Sequence, residues 1–242
     1  MTVKREYSNG SILVSGYFDE FTGAPVVDSS LVLWLDAGQT SSYPGSGTTW
    51  TDLSGNGNNG TLINGPTFDS SNGGSIVIDG SNDYVTCGTY QFNSAQGTIA
   101  FWFKPTTNIT ASVAKRVWGN NGDFEARWNT GNGGLTIDLG NSLGTIITNT
   151  TSWLNTVWYN VILTWDSSVT TGNIYVQGEL DGTGTTASTA TLTALTGTFY
   201  IGRSVTAQYL NANISNFMAY DRALTATEVL QNFNALRGRY GI

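Results

Sequence analysis

Histidine is absent from the chain and cysteine occurs once, at Cys87, so any chemistry must come from carboxylates, amides, hydroxyls and aromatic rings. Histidine-based acid–base catalysis, Ser-His-Asp and Cys-His nucleophile systems, zinc sites and intramolecular disulfides all lack their residues. Cys87, within DYVTCG, reads as a small buried hydrophobe. The densest concentration of ligand-capable oxygen runs from Trp50 to Leu62, WTDLSGNGNNGTL. Asp52, Ser54, Asn56 and Gly57 reproduce the first half of a calcium loop, in which oxygens at alternate positions ligate the ion and glycine makes the turn. The second half is missing. The position for a bidentate glutamate is Ile63 and the flanks are not helical, so a calcium ion here must borrow ligands from elsewhere. The same residues equally describe a solvated loop closed by its own Asx turns.

Retaining hydrolysis of glycosides needs two carboxyl groups about 5–5.5 Å apart. None of the five glutamates, Glu6, Glu20, Glu125, Glu179 and Glu228, lies in an E-x-D-x-x-E pattern that would deliver them. The nearest approach is Asp123-Phe124-Glu125, with Arg127 on the same strand face, which reads as a salt-bridged ladder. The expectation is therefore a protein that is not an enzyme. Sugar binding has different requirements: rings to stack on, with amides or carboxylates for the hydroxyls. Trp118, Asn120, Asn121, Asp123, Arg127 and Trp128 flank a hairpin whose turns should reach a rim, and they are the candidate carbohydrate-binding residues.

The elements that must position these residues are strands. Thirty glycines, 11% charged and 12% aromatic residues in 242 suit a sandwich or barrel rich in turns. LVLWLD (31–36) reads as a strand buried on both faces. Ile99, Phe101 and Phe103 alternate with Ala100 and Trp102, and Val157 to Trp165 presents an apolar face opposite a wetter one of Asn160, Thr164 and Asp166. Asn121-Gly122, Asn132-Gly133 and Gln177-Gly178 signal hairpins, and 182–198 reads as a loop followed by an edge strand. Thr225-Ala226-Thr227-Glu228 is a capping box opening a short helix. Its apolar face should be Val229, Leu230, Phe233 and Leu236, and Gly238 should stop it. Residues 1–28 form a less periodic arm, either an anchor for a neighbouring subunit or an edge strand, and 29–242 form the domain.

A net charge of −7 with ten dispersed basic residues gives no phosphate-tracking face, so nucleic acid is not an expected partner. MTVKREYSNGSILVSGYF lacks the apolar core of a signal peptide, and no segment approaches the roughly 20 apolar residues of a membrane helix.

In order, LVLWLD, WTDLSGNGNNGTL, IDGSNDYV, IAFWFKP, IYVQGELDG, FYIGR and ISNFMAYDRALTATEV resemble the concanavalin A-like superfamily and its laminin G-like modules, from about Leu31 to Ile242. The resemblance implies an all-β fold: an antiparallel two-sheet jelly-roll sandwich with one short C-terminal helix and the N-terminal arm. It also implies a concave face and rim for ligands, and a calcium site assembled from Asp52 and Asn56 together with Asp79 and Asp83. The ending QNFNALRGRYGI and the unsignalled arm resemble jelly-roll modules of tailed-bacteriophage structural proteins. The implied setting is a virion surface, with synthesis in the host cytoplasm and other virion proteins held through the arm. Host glycan is a further partner it implies. A stand-alone lectin module is the alternative and a glycoside hydrolase, which the superfamily also includes, the lesser one, and an oligomer is compatible with the first two.

Overall fold

The computed structural model describes residues 17–18, 25–88, 95–110, 114–120, 124–128, 131, 133–139, 144–185, 197–204 and 208–242. Among them two eight-stranded antiparallel sheets pack face to face. The front sheet runs, edge to edge, through Thr145–Ile147, Leu135–Leu139, Phe124–Trp128, Lys115–Gly119, Tyr200–Ile201, Tyr84–Thr86, Gly60–Ile63 and Thr49–Trp50. The back sheet runs through Glu179–Thr185, Thr171–Val176, Tyr159–Asp166, Gln96–Pro105, Asn211–Tyr220, Ser75–Asp79 and Thr67–Asp69, and Leu31–Asp36 pairs with the second half of Asn211–Tyr220.

The two-residue period of a strand explains the layering. Ile99, Phe101 and Phe103 enter the core between the sheets, while Ala100 and Trp102 enter a second cluster on the outer side of the back sheet. That second cluster is roofed by the helix Ala226–Leu236, and the Trp102 ring stacks on Phe233 at 5.7 Å and on Tyr240 at 4.1 Å. The roof changes the expectation for Asn160 and Thr164. Both are buried, and the Asn160 backbone N–H is satisfied by the Gln177 side chain at 3.0 Å. LVLWLD is buried on both faces as expected, with Leu33 and Leu35 in the inter-sheet core and Leu31 and Trp34 in the other cluster.

The capping box forms: the Thr225 hydroxyl accepts the Glu228 N–H at 3.3 Å and the Glu228 carboxylate accepts the Thr225 N–H at 2.9 Å. One expectation for this helix fails. Leu230 is 43% exposed while Asn232 is buried, because Asn232 caps the Val27 N–H and donates to the Tyr220 hydroxyl. The α-helix itself ends at Leu236 with Arg237 as its C-cap, so the expected stop Gly238 directly follows it, and the chain goes on. It tightens into a 3₁₀ turn, Arg237–Tyr240, and ends in a left-handed Gly241.

The hairpin at Gln177-Gly178 has both residues at positive φ, 54° and 80°, as a primed turn requires. After it the strand Glu179–Thr185 forms the expected second arm but runs on through 182–185, where a loop was expected. Gly182 and Gly184 are the reason. A Cβ on Gly182 would stand 2.4 Å from the Ile147 carbonyl oxygen, so only glycine lets this back-sheet edge close onto the front-sheet edge Thr145–Ile147. At the chain's other end, Tyr17–Phe18 pairs with Pro25–Val26, and Val26 and Val27 are buried in the cluster under the helix. Among the described residues no helix is long and apolar enough to cross a membrane.

Candidate functional site

The loop from Trp50 to Gly60 leaves the front sheet at a rim and is wound around one carboxylate. Asp52 Oδ1 accepts the backbone N–H groups of Trp34 and Ser54, each at 2.9 Å, and Oδ2 accepts the Asn58 N–H at 2.9 Å and the Ser54 hydroxyl at 2.8 Å. The Asp52 N–H in turn donates to Asn59 Oδ1 at 2.9 Å. Asn56 and Asn58 donate their side-chain N–H groups to the carbonyls of Leu31 and Val32, at 3.3 and 2.8 Å. Gly55 and Gly57 hold the φ values, 88° and 76°, that let the loop coil.

These bonds decide the fit to calcium. A carboxylate already accepting three backbone N–H groups and a hydroxyl is occupied by protein donors, and Asn56 acts there as a donor. The remaining expected ligands are elsewhere. Trp50 pairs with Gly60 and Thr61 with Thr86, whereas Asp83 precedes Tyr84, which pairs with Ile63. Three residues of strand, about 10 Å, therefore separate the loop from the Asp79–Asp83 corner. Asp79 Oδ1 closes its own turn on the N–H groups of Ser81 and Asn82, at 2.8 and 3.3 Å, and these bonds, that to Ser81 foremost, lower its pKa. Burial, then the charge of Asp79, raises that of Asp83. The joint site of Asp52, Asn56, Asp79 and Asp83 is thus not assembled. No cluster of three or more His, Cys, Asp or Glu able to hold a metal occurs among the described residues.

What the loop does build is a cleft of about 600 Å³, lined by Val32, Asn56, Gly57, Asn58, Asn59, Thr61, Thr86, Cys87, Gly88 and Asp221. Its polar lining is amides, hydroxyls and one carboxylate. Fixing Asn59 Oδ1 on Asp52 and the Asn58 amide on Val32 leaves Asn59 Nδ2 and Asn58 Oδ1 without a partner among the described residues. Burial and the nearby charge of Asp52 push the Cys87 thiol up to about 12, so it lines the cleft as a neutral wall and is no nucleophile.

The carbohydrate residues expected around the 119–124 hairpin fall on two faces. Phe124, Ala126 and Trp128 point into the core, and Glu125 and Arg127 point outward. Trp118 and Trp128 are 0% exposed and pack on Phe124 at 4.9 Å and on Phe103 at 5.5 Å, so neither ring can stack on a sugar. Consecutive strand residues such as Arg127 and Trp128 cannot share a face, and that parity rule could have separated them in the sequence. A bulge between Arg116 and Trp118 turns the second indole inward as well. Asn120 is 3% exposed. Asn121 and Asp123 lie outside the described residues. Arg127 joins a ladder across the outer face: it bridges Glu125, at 3.2 Å, and Asp138, and Arg116 Nε lies 2.9 Å from the other Glu125 oxygen. The Glu125–Arg127 part of the expected ladder is present, extended by Arg116 and Asp138, while Asp123 lies outside the described residues.

Beside the cleft the same outer face carries rings that sequence reasoning passed over. Tyr200 pairs with Thr86, and Tyr84 stands two residues along the strand from it. Left-handed Gly202, φ 89°, swings Arg203 back over them. The guanidinium carbon lies 4.7 Å from the Tyr84 ring, 4.8 Å from Tyr200 and 5.6 Å from Tyr209. The available signal was alternation in DYVTC, which sends Tyr84 and Thr86 outward and Val85 and Cys87 inward.

Comparison with known proteins agrees with this architecture. The receptor-binding domain of botulinum neurotoxin C/D mosaic serotype superposes with a TM-score of 0.67 at 14% identity, over 86% of this chain and 51% of that one. The chain thus spans about half the length of that toxin domain. A mutant Trypanosoma rangeli sialidase displaying trans-sialidase activity superposes at 0.63 with 17% identity, over 90% of this chain and 35% of that one. Domain 4 of AbnA, a GH43 extracellular arabinanase from Geobacillus stearothermophilus solved with arabinotriose, superposes at 0.62 with 17% identity, over 84% of this chain and 98% of that domain. No curated protein matches the sequence. The laminin G family profile matches residues 79–230, more than half of the chain, and the protein belongs to the concanavalin A-like lectin/glucanases superfamily.

Proposed function

We propose that the chain is a carbohydrate-binding module whose saccharide lies in the cleft beside the 51–59 loop. The observation that carries this reading is the cleft lining: Asn56, Asn58, Asn59, Thr61, Thr86 and Asp221 bring amide, hydroxyl and carboxylate groups together on a frame fixed by Asp52. Such groups, held by bonds made before the ligand arrives, bind hydroxyl-rich ligands at little ordering cost. The arabinanase domain that superposes over nearly its whole length was solved with arabinotriose, and a botulinum neurotoxin DC binding domain of the same fold was solved with SialylT. Both are consistent with a binding role on this scaffold.

The module does not hydrolyse its ligand in this reading. The neighbouring carboxylates of the outer face, Glu125 and Asp138, share Arg127, which suits a structural ladder better than an acid and nucleophile pair. Glycan-array screening followed by titration tests the binding. Thr61→Tyr, an aromatic substitution at an exposed strand position, should fill the cleft and abolish binding while leaving the melting temperature unchanged. Binding that survives it places the saccharide elsewhere.

A virion-surface setting, with virion partners held through residues 1–28, belongs to the same proposal. Its support is the sequence resemblance, since Arg239 and Tyr240 of QNFNALRGRYGI are used in packing, on Asp36 and Trp102. Its test is the particle with which the chain co-purifies, before and after deletion of the arm.

A further inference from the structure

Arg203 is a half-buried cation with no anionic partner among the described residues. Among the described residues no carboxylate lies within ion-pair distance of it. Its Nε donates to the Ser204 carbonyl at 2.6 Å, and the guanidinium is held over the rings of Tyr84, Tyr200 and Tyr209. Ring faces stabilise the charge through their quadrupoles but take none of its N–H groups. The Nη edge of the planar fork is therefore left for a ligand, already oriented.

The position of this cation gives it a use. Tyr200 is the direct cross-strand neighbour of Thr86, which lines the cleft, and Tyr84 lies two strand residues, about 7 Å, from Thr86 on the same face. We propose that the saccharide bound in the cleft is acidic and that Arg203 takes the carboxylate of the adjoining sugar unit in a bidentate pair, with the tyrosine rings flanking that unit. This inference rests on the cleft being a glycan site and specifies the class of glycan. The geometry matches charge to charge: a planar fork recognises a planar carboxylate, and the cleft supplies hydroxyl and amide partners for the uncharged part.

The test uses the full chain and three carboxylated polymers, polygalacturonate, alginate and colominic acid, each against its methyl ester, with dextran sulfate as a control of plain charge. The expected result is a preference of about tenfold for at least one acid over its ester, the size of one charge-assisted pair, with no comparable binding of dextran sulfate. Arg203→Gln should bring acid and ester to equal, ester-like affinity. Arg203→Lys, which keeps the charge without the fork, should lose most of the preference. Equal binding of acid and ester by the unmodified chain overturns the inference, as does a preference untouched by Arg203→Gln, full retention in Arg203→Lys, or dextran sulfate binding as well as the acids. If all three acids fail while a neutral arabinan binds in a Thr61-dependent way, the inference alone falls. If no saccharide binds, the glycan reading falls with it.

Discussion

The Asp52 carboxylate accepts the backbone N–H of Trp34 at 2.9 Å, across 18 residues of sequence. That bond ties the polar loop to the strand Leu31–Asp36, and the carboxylate's other bonds shape the loop that walls the cleft. Asp52→Asn keeps one acceptor oxygen but turns a donor toward the Asn58 N–H and the Ser54 hydroxyl. It should cost about 2 kcal/mol, read by denaturant unfolding, and weaken glycan binding beyond that loss. Because protein donors fill the carboxylate, chelator should leave the melting temperature of the wild type where it is. A calcium-dependent rise would mean that the loop rearranges around an ion.

Asp36 and Arg239 form a bidentate ion pair, 2.7 and 3.1 Å, with neither side chain exposed. Removing one partner strands a buried charge, so Arg239→Met should destabilise the domain by roughly 3–5 kcal/mol. Asp36→Leu combined with Arg239→Met should recover much of that loss. A single variant as stable as the wild type would show that the C-terminal turn is not held by this pair.

Glu228 titrates as a partner of Arg222. The hydrogen-bonded guanidinium, aided by the Thr225 N–H and hydroxyl, lowers its pKa from 4.5 to about 2. A carboxyl depressed in the folded state adds stability above the unfolded value and loses it as pH falls toward the folded one. The stability gap between wild type and Glu228→Gln should be constant from pH 7 to about 5 and close between about 4.5 and 2. A gap that persists below that window would assign the effect to shape instead of charge.

Closure of the sandwich edge depends on Gly182. Gly182→Ala places a methyl group against the Ile147 carbonyl oxygen and should cost about 1–3 kcal/mol, with faster amide exchange in Thr145–Ile147 and Glu179–Thr185. Unchanged exchange would show that the two edges are not held in contact.

Much of the fold was legible because period and punctuation were local. The alternation from Ile99 to Phe103, the Thr225–Glu228 box and the Gln177-Gly178 turn each follow from residues a few positions apart. The misreadings came from tertiary cover. Asn160 and Thr164 sit on the expected outer face but beneath a helix some 60 residues later, and Leu230 and Asn232 exchange roles because the Val27 N–H and the Tyr220 hydroxyl require a partner. The calcium reading of Asp52, Asn56, Asp79 and Asp83 failed on distance, which sequence order does not carry. The sugar reading of Trp118 and Trp128 failed on parity and on a bulge. The Tyr84–Tyr200–Tyr209 platform was hidden because its members come from segments more than 100 residues apart that meet only through the front sheet.

The central claim is that saccharide binds between the 51–59 loop and the Thr61–Thr86 strand pair. The most direct measurement is an amide and side-chain-amide NMR titration of the labelled chain with arabinotriose and with trigalacturonate. The account predicts saturable shifts concentrated on Asn56, Asn58, Asn59, Thr61 and Thr86, extending to Tyr200 and Arg203 for the acidic sugar. Saturable shifts elsewhere on the surface with these residues silent, or no shift with either sugar, would contradict it.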